Sequence, residues 1–151
     1  MNHVTSGSLA GFVATVPMTA VMQLLHKYPV PEPERWPPRQ IAERMGRRLG
    51  LTQELDHDER SALTWASHFG YGTSAGGLYG LLFGNTSVPP VTFGVGYGLA
   101  VWAASYLGWL PAAGIMRPAT RQNRRRNVML IASHAVWGGV LGLLTDRLRR
   151  A

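Results

Sequence analysis

The sequence predicts an all-α fold of the integral membrane kind: a bundle of four transmembrane helices with an amphipathic helix at the cytoplasmic interface. Three observations lead there. The 23 acidic and basic residues fall in three blocks, Lys27–Arg60, Arg117–Arg126 and Asp146–Arg150, which hold 14, five and four of them. The stretches between contain no Asp, Glu, Lys or Arg, and the longest runs 56 residues from Ser61 to Met116. A soluble surface would need such residues to recur, whereas a charge at a bilayer centre costs about 2.5–3.5 kcal/mol or more. Finally, glycines recur inside those stretches at four-residue spacing, which lets helix backbones approach closely in lipid. With 151 residues, 46% of them hydrophobic, the chain is sized for one compact domain.

A spanning helix needs about 20 mainly apolar residues, and the uncharged stretches divide into four such lengths. The first is expected at 8–25. It does not read as a secretory signal peptide, since no basic residue precedes it. Pro17 is expected to kink it. The following loop opens with Pro29, Pro31, Pro33, Pro37 and Pro38, a stiff extended segment. It then turns amphipathic over 39–51, with Ile41, Met45 and Leu49 on one stripe and Arg44, Arg47 and Arg48 elsewhere around the helix. Such a helix either lies in the membrane interface or packs on the end of the bundle. The run Glu54, Asp56, His57, Asp58, Glu59 matches no calcium-loop spacing and reads as a solvated segment or a helix start. No metal is expected.

The second and third spans are expected at 61–83 and 91–110, separated by Asn85-Thr86-Ser87-Val88-Pro89-Pro90, where two prolines cannot continue a helix. The fourth is expected at 128–144. Lys and Arg number seven in the loop after span one and five in the loop after span three, against three at the C-terminal end and none on the rest of that side. The positive-inside rule then puts both long loops in the cytoplasm and both termini outside. The basic balance, +7, belongs to membrane-side arginines, among them Arg44, Arg47, Arg48, Arg124, Arg125 and Arg126. These face anionic headgroups rather than nucleic acid. Fourteen arginines to one lysine point to a GC-rich bacterial source. The absence of cysteine removes disulfides and thiolate metal sites.

One motif occurs twice. Span two carries Ala66-Ser67-His68-Phe69-Gly70-Tyr71-Gly72, and span four carries Ala132-Ser133-His134-Ala135-Val136-Trp137-Gly138. Each continues as a glycine stripe, through Gly76, Gly80 and Gly84 in one and Gly142 in the other. Gly7, Gly11, Thr15 and Thr19 form a similar face on span one, with Gly94 and Gly98 on span three. Two explanations fit: a tandem duplication of a two-helix unit, or the cheap resemblance of glycine-rich helices to each other. Either way, His68 and His134 are expected at similar depth, facing one another. Three readings stay open for the pair: axial ligation of a b-type haem, a proton relay or transport gate, or hydrogen bonds that join helices. No nucleophile elbow, phosphate-binding loop, HExxH or intramembrane carboxylate pair is present, so no catalytic residue is assigned.

The order of a Gly-rich first helix, His68-x-x-Tyr71-Gly72, Gly77-Leu78-Tyr79-Gly80-Leu81-Leu82 and His134-x-x-Trp137-Gly138 resembles the YagU-like family of bacterial inner-membrane proteins. That resemblance implies a location and a helical architecture, with no catalytic residues to carry over. The functional expectation is a non-enzymatic accessory or assembly subunit that packs through its glycine faces into a homo-oligomer or larger membrane complex. The alternatives are a small oligomeric transporter or channel with a histidine-lined path, and a bis-histidine haem protein.

Overall fold

The computed structural model describes residues 1–26, 36–50, 55–84 and 88–151. The extended segment expected from Pro29 to Pro33, Glu54 of the acidic run, and Asn85-Thr86-Ser87 of the central turn lie outside the described residues. Nearly all described residues are helical and none is in a strand. The helices are α1 (His3–His26), α2 (Pro37–Arg48), α3 (His57–Phe83), α4 (Pro90–Ala103), α5 (Leu110–Ala112) and α6 (Arg124–Arg150). A π-helical segment, Ala104–Trp109, joins α4 to α5 into one continuous rod. Three segments are long and apolar enough to cross a membrane: His3–Leu25, Pro90–Ala112 and Arg124–Arg150. α3 is as long, but its Gly, Ser, Thr and His residues keep it out of that set.

α1, the α4–α5 rod and α6 outrun their expected spans at both ends and α3 does so at its start, while α3 stops at Phe83 as expected and α2 runs from Pro37 only to Arg48. The sequence periodicity counts only apolar residues, while polar first and last turns are helical too. α3 begins early because Asp56 caps it. Its carboxylate accepts from the backbone N–H of Asp58 at 2.8 Å and of Glu59 at 2.9 Å, and Glu59 accepts in return from the Asp56 N–H at 2.9 Å. The acidic run is therefore a helix start. At α6 the Asn123 side chain accepts from the Arg125 N–H at 2.9 Å. Pro37 and Pro38 occupy the first turn of α2, where no N–H is needed. The α4–α5 rod ends at Gly114, whose φ of 61° suits a residue without Cβ. There the Ile115 N–H reaches back to the Leu110 carbonyl at 2.9 Å and the Gly114 N–H to that of Pro111 at 2.8 Å, a Schellman closure. α1 continues as a helix through Pro17.

α1 packs on α3 and on α6, and α4 packs on α6. Glycine makes two of these contacts possible. A Cβ on Gly7 would strike the carbonyl oxygen of Gly76, and one on Gly11 that of Gly72. In the other pair, a Cβ on Gly94 would strike the carbonyl of Gly138, and one on Gly98 that of His134. Backbone thus lies directly on backbone, the approach that small residues permit in lipid. α3 and α4 meet instead through large side chains. Tyr79 and Tyr97 have ring centroids 5.1 Å apart, Phe83 and Phe93 4.9 Å, and Tyr97 Oη donates to the Ala75 carbonyl at 2.8 Å.

The outer face is apolar. Leu81, Leu24, Leu82 and Val16 are exposed at 65%, 60%, 56% and 55%, a pattern that would be an aggregation hazard in water and is ordinary against lipid. The chain thus has the make-up of a membrane protein.

α2 does not lie apart on an interface. It packs on α3. Arg44 Nη1 donates to the Ile115 carbonyl at 2.5 Å, and Arg126 Nη2 donates to Gln40 Oε1 at 2.9 Å. Arg39 Nε pairs with the buried Glu43 at 2.9 Å. Of the arginines assigned to the headgroup surface, Arg47, Arg48, Arg124 and Arg125 are exposed, Arg44 is half-buried, and Arg126 is buried between α2 and α6.

Candidate functional site

Where α3 and α4 are held apart by side chains rather than packed by glycine, a cavity of about 200 Å³ remains. Every long helix and α2 contribute to its wall: Thr15, Met18 and Met22 from α1, Ile41 and Met45 from α2, His68 and Tyr71 from α3, His134 and Trp137 from α6. Ser105, Tyr106 and Trp109 enter from the π-helical segment. Pro111, just beyond, has no N–H to give the Leu107 carbonyl, and the turns here open so that the Leu110 N–H bonds the Ser105 carbonyl, five residues back. Such π segments re-aim side chains and are frequent at functional sites. The wall is mostly apolar and, among the described residues, contains no Asp, Glu, Lys or Arg.

The two expected histidines both line this cavity. Their hydrogen bonds assign a tautomer to each. Thr19 Oγ1 lies 2.7 Å from the Thr15 carbonyl, which can only accept, so the single hydroxyl proton goes there. His68 Nε2, 3.0 Å from the same Oγ1, must then be the donor. His134 Nδ1 lies 2.7 Å from the Leu130 carbonyl and must donate to it. In the neutral imidazole the second nitrogen is a bare acceptor. That nitrogen is Nδ1 in His68 and Nε2 in His134, and neither has a hydrogen-bond partner among the described residues. Around them, Trp36 lies 6.1 Å from His68 and Tyr106 stands edge-on to His134 at 5.9 Å.

The histidines share a cavity but not a register. Gly98 meets the His134 carbonyl as Gly11 meets that of Gly72. Relative to the two glycine crossings, His134 therefore stands where Gly72 does, one turn further in than His68. Gly72, Gly76, Gly80, Gly138 and Gly142 are all buried in the crossings, and Gly84 lies against His3. The stripe Ile41–Met45 faces the cavity. Tyr71 and Trp137, three residues after each histidine, form wall on both sides, so the aromatic position of the repeated motif was a signal of the site. Tyr106 and Ser105 carried no such mark, because the π segment that presents them has no sequence periodicity of its own. No cluster of three or more His, Asp or Glu placed to hold a metal occurs among the described residues.

Helical described residues with three apolar segments of membrane length are consistent with a membrane protein. Residues 13–143 match the family described as protein of unknown function (DUF1440), and the chain belongs to that family. No curated protein and no solved structure matches it.

Proposed function

We propose that this is a non-enzymatic, multi-pass membrane protein with four spanning helices, α3 being the fourth, and that it binds a small apolar molecule in the cavity between α3 and α4. One observation carries the reading: two histidines with defined tautomers, each keeping a bare nitrogen, line a single mostly apolar space. The volume supports it. A cavity of about 150 Å³ lined by apolar side chains takes up benzene, and about 200 Å³ suits a ring with small substituents. A tetrapyrrole, several such rings across, is too large, which counts against haem. Close glycine packing beside Trp137 favours a binding chamber over a conduit. The glycine faces that pointed to an accessory subunit in a homo-oligomer are occupied by the chain's own helices, so they no longer call for a partner.

The location we propose is a bacterial inner membrane, with both long loops cytoplasmic, both termini outside and the arginines of the loops against anionic headgroups. The charge count and the resemblance to the YagU-like family support this. The matching contacts of the α1–α3 and α4–α6 pairs support a tandem duplication, slipped by one turn relative to the histidine motif.

The test is saturable uptake of toluene by the protein in lipid nanodiscs, with empty discs as blank. Val101→Phe, which takes up part of the cavity, is expected to weaken it. Uptake indistinguishable between the wild type and Val101→Phe would sink the proposal.

A further inference from the structure

We infer that the occupant is a neutral, membrane-dissolved aromatic ring carrying hydroxyl groups, the chemistry of a quinol or alkylphenol head group, and that it enters from the bilayer between Tyr71 and Trp109. This rests on the cavity being a binding site, as proposed above. The two bare nitrogens define what the occupant must offer. Both accept and neither donates, so the ligand group that meets them supplies O–H or N–H; a carbonyl or a carboxylate at those nitrogens would meet lone pairs with lone pairs. Among the described residues the wall holds no acidic side chain to balance a cation and no basic one to balance an anion, which favours a neutral ligand. Size and lining select a ring, since Tyr106 and Trp137 present aromatic surface beside His134. A few polar anchors in a mainly apolar cleft are how small-molecule sites set orientation.

The route follows from exposure. Tyr71 and Trp109 line the cavity, yet they are 45% and 38% exposed on the outer, apolar face. Their rings lie 6.2 Å apart across the seam, and Tyr71 Oη is within 2.9 Å of Ser105 Oγ. The seam is thus held by one side-chain hydrogen bond and one ring contact, whereas the α1–α3 and α4–α6 sides of the chamber are closed by backbone packed on backbone.

The experiment compares toluene, 4-methylphenol and methylhydroquinone, each referred to its concentration in the bilayer, using protein in nanodiscs. Affinity is expected to rise along that series. His68→Phe and His134→Phe are each expected to weaken methylhydroquinone by about fivefold, the weight of one neutral hydrogen bond. Toluene binding should not change in either variant, and its retention also reports that they are folded. Tyr71→Phe, which unpins the seam, should speed binding by up to about fivefold. If methylhydroquinone binds no better than toluene, or the histidine variants weaken both alike, the hydroxylated ring is wrong. An unchanged association rate in Tyr71→Phe would overturn the lateral entry. If none of the three ligands binds, the cavity itself is no binding site, and the function proposed above falls with this inference.

Discussion

The indole Nε1–H of Trp137 donates to the carbonyl of Gly11 at 3.2 Å, joining residues 126 positions apart. That carbonyl also accepts from Thr15 Oγ1 at 2.8 Å. It lies at the crossing of α1 with α3, so the bond from α6 ties the two glycine-packed pairs together beside the cavity.

Trp137→Phe keeps most of the ring surface and removes this bond. The expected loss is about 0.5–1.5 kcal/mol, read as a shifted unfolding midpoint in mixed micelles. Trp102 is the control, because its Nε1 is buried with no partner among the described residues. Trp102→Phe discards an unsatisfied donor and should be neutral or stabilising. Equal losses for the two would deny the Trp137 bond any special part.

Gly76→Ala and Gly138→Ala place a methyl group against backbone of the facing helix. Neither neighbour is a flexible side chain that can step aside. Overpacking of this kind costs about 1–3 kcal/mol. At Gly96 nothing lies within 4 Å of the added carbon, so Gly96→Ala should gain stability through the better helix former. Opposite signs at these sites, in one denaturation series, are the expected outcome.

Thr19→Val removes the acceptor that holds His68. The ring should then lose its preference for the Nε2–H tautomer, visible as a change in the imidazole nitrogen shifts by NMR. His134, bonded to the Leu130 carbonyl, should keep its Nδ1–H form. A His68 spectrum unchanged by Thr19→Val would mean that the hydroxyl does not set the tautomer.

Arg44→Gln and Gln40→Ala each cut a tether between α2 and the rest of the molecule. Backbone amides of α2 should exchange faster with deuterium while those of α3 and α6 do not change. The same loosening should raise the toluene exchange rate, because Ile41 and Met45 are wall residues.

Much of the architecture was legible in the charges alone. A residue that cannot be charged in a bilayer leaves a gap in the sequence, and the three gaps, the middle one divided at Pro89-Pro90, located the four long helices. The helix ends were legible only in part: a helix start was one of two readings of the acidic run, but the exact turns capped by Asp56 and filled by the arginines of α6 lie beyond the apolar core. The apolar stripe of α2 was legible, but composition does not distinguish a lipid surface from a cavity wall, and Ile41 and Met45 turned out to face the latter. The histidines were found by their repeated motif. Their register to the glycine crossings was not, since the motif pairs His68 with His134 while the packing pairs Gly72 with His134. A sequence match registers residues to each other, whereas depth is set by where the helices cross.

The glycine crossings also impose a schedule on synthesis. Gly7 has its counterpart at Gly76, and at about 5–20 residues per second the ribosome needs several seconds to make the chain between them. In the membrane arrangement we propose, α1 would wait in the bilayer for that interval with its Gly7, Gly11, Thr15 and Thr19 face turned to lipid or to the insertion machinery. α4 would then wait in the same way for α6. A nascent chain halted after α1 should therefore be the form most readily caught by an insertase or a quality-control protease, and completion of α3 should end that vulnerability.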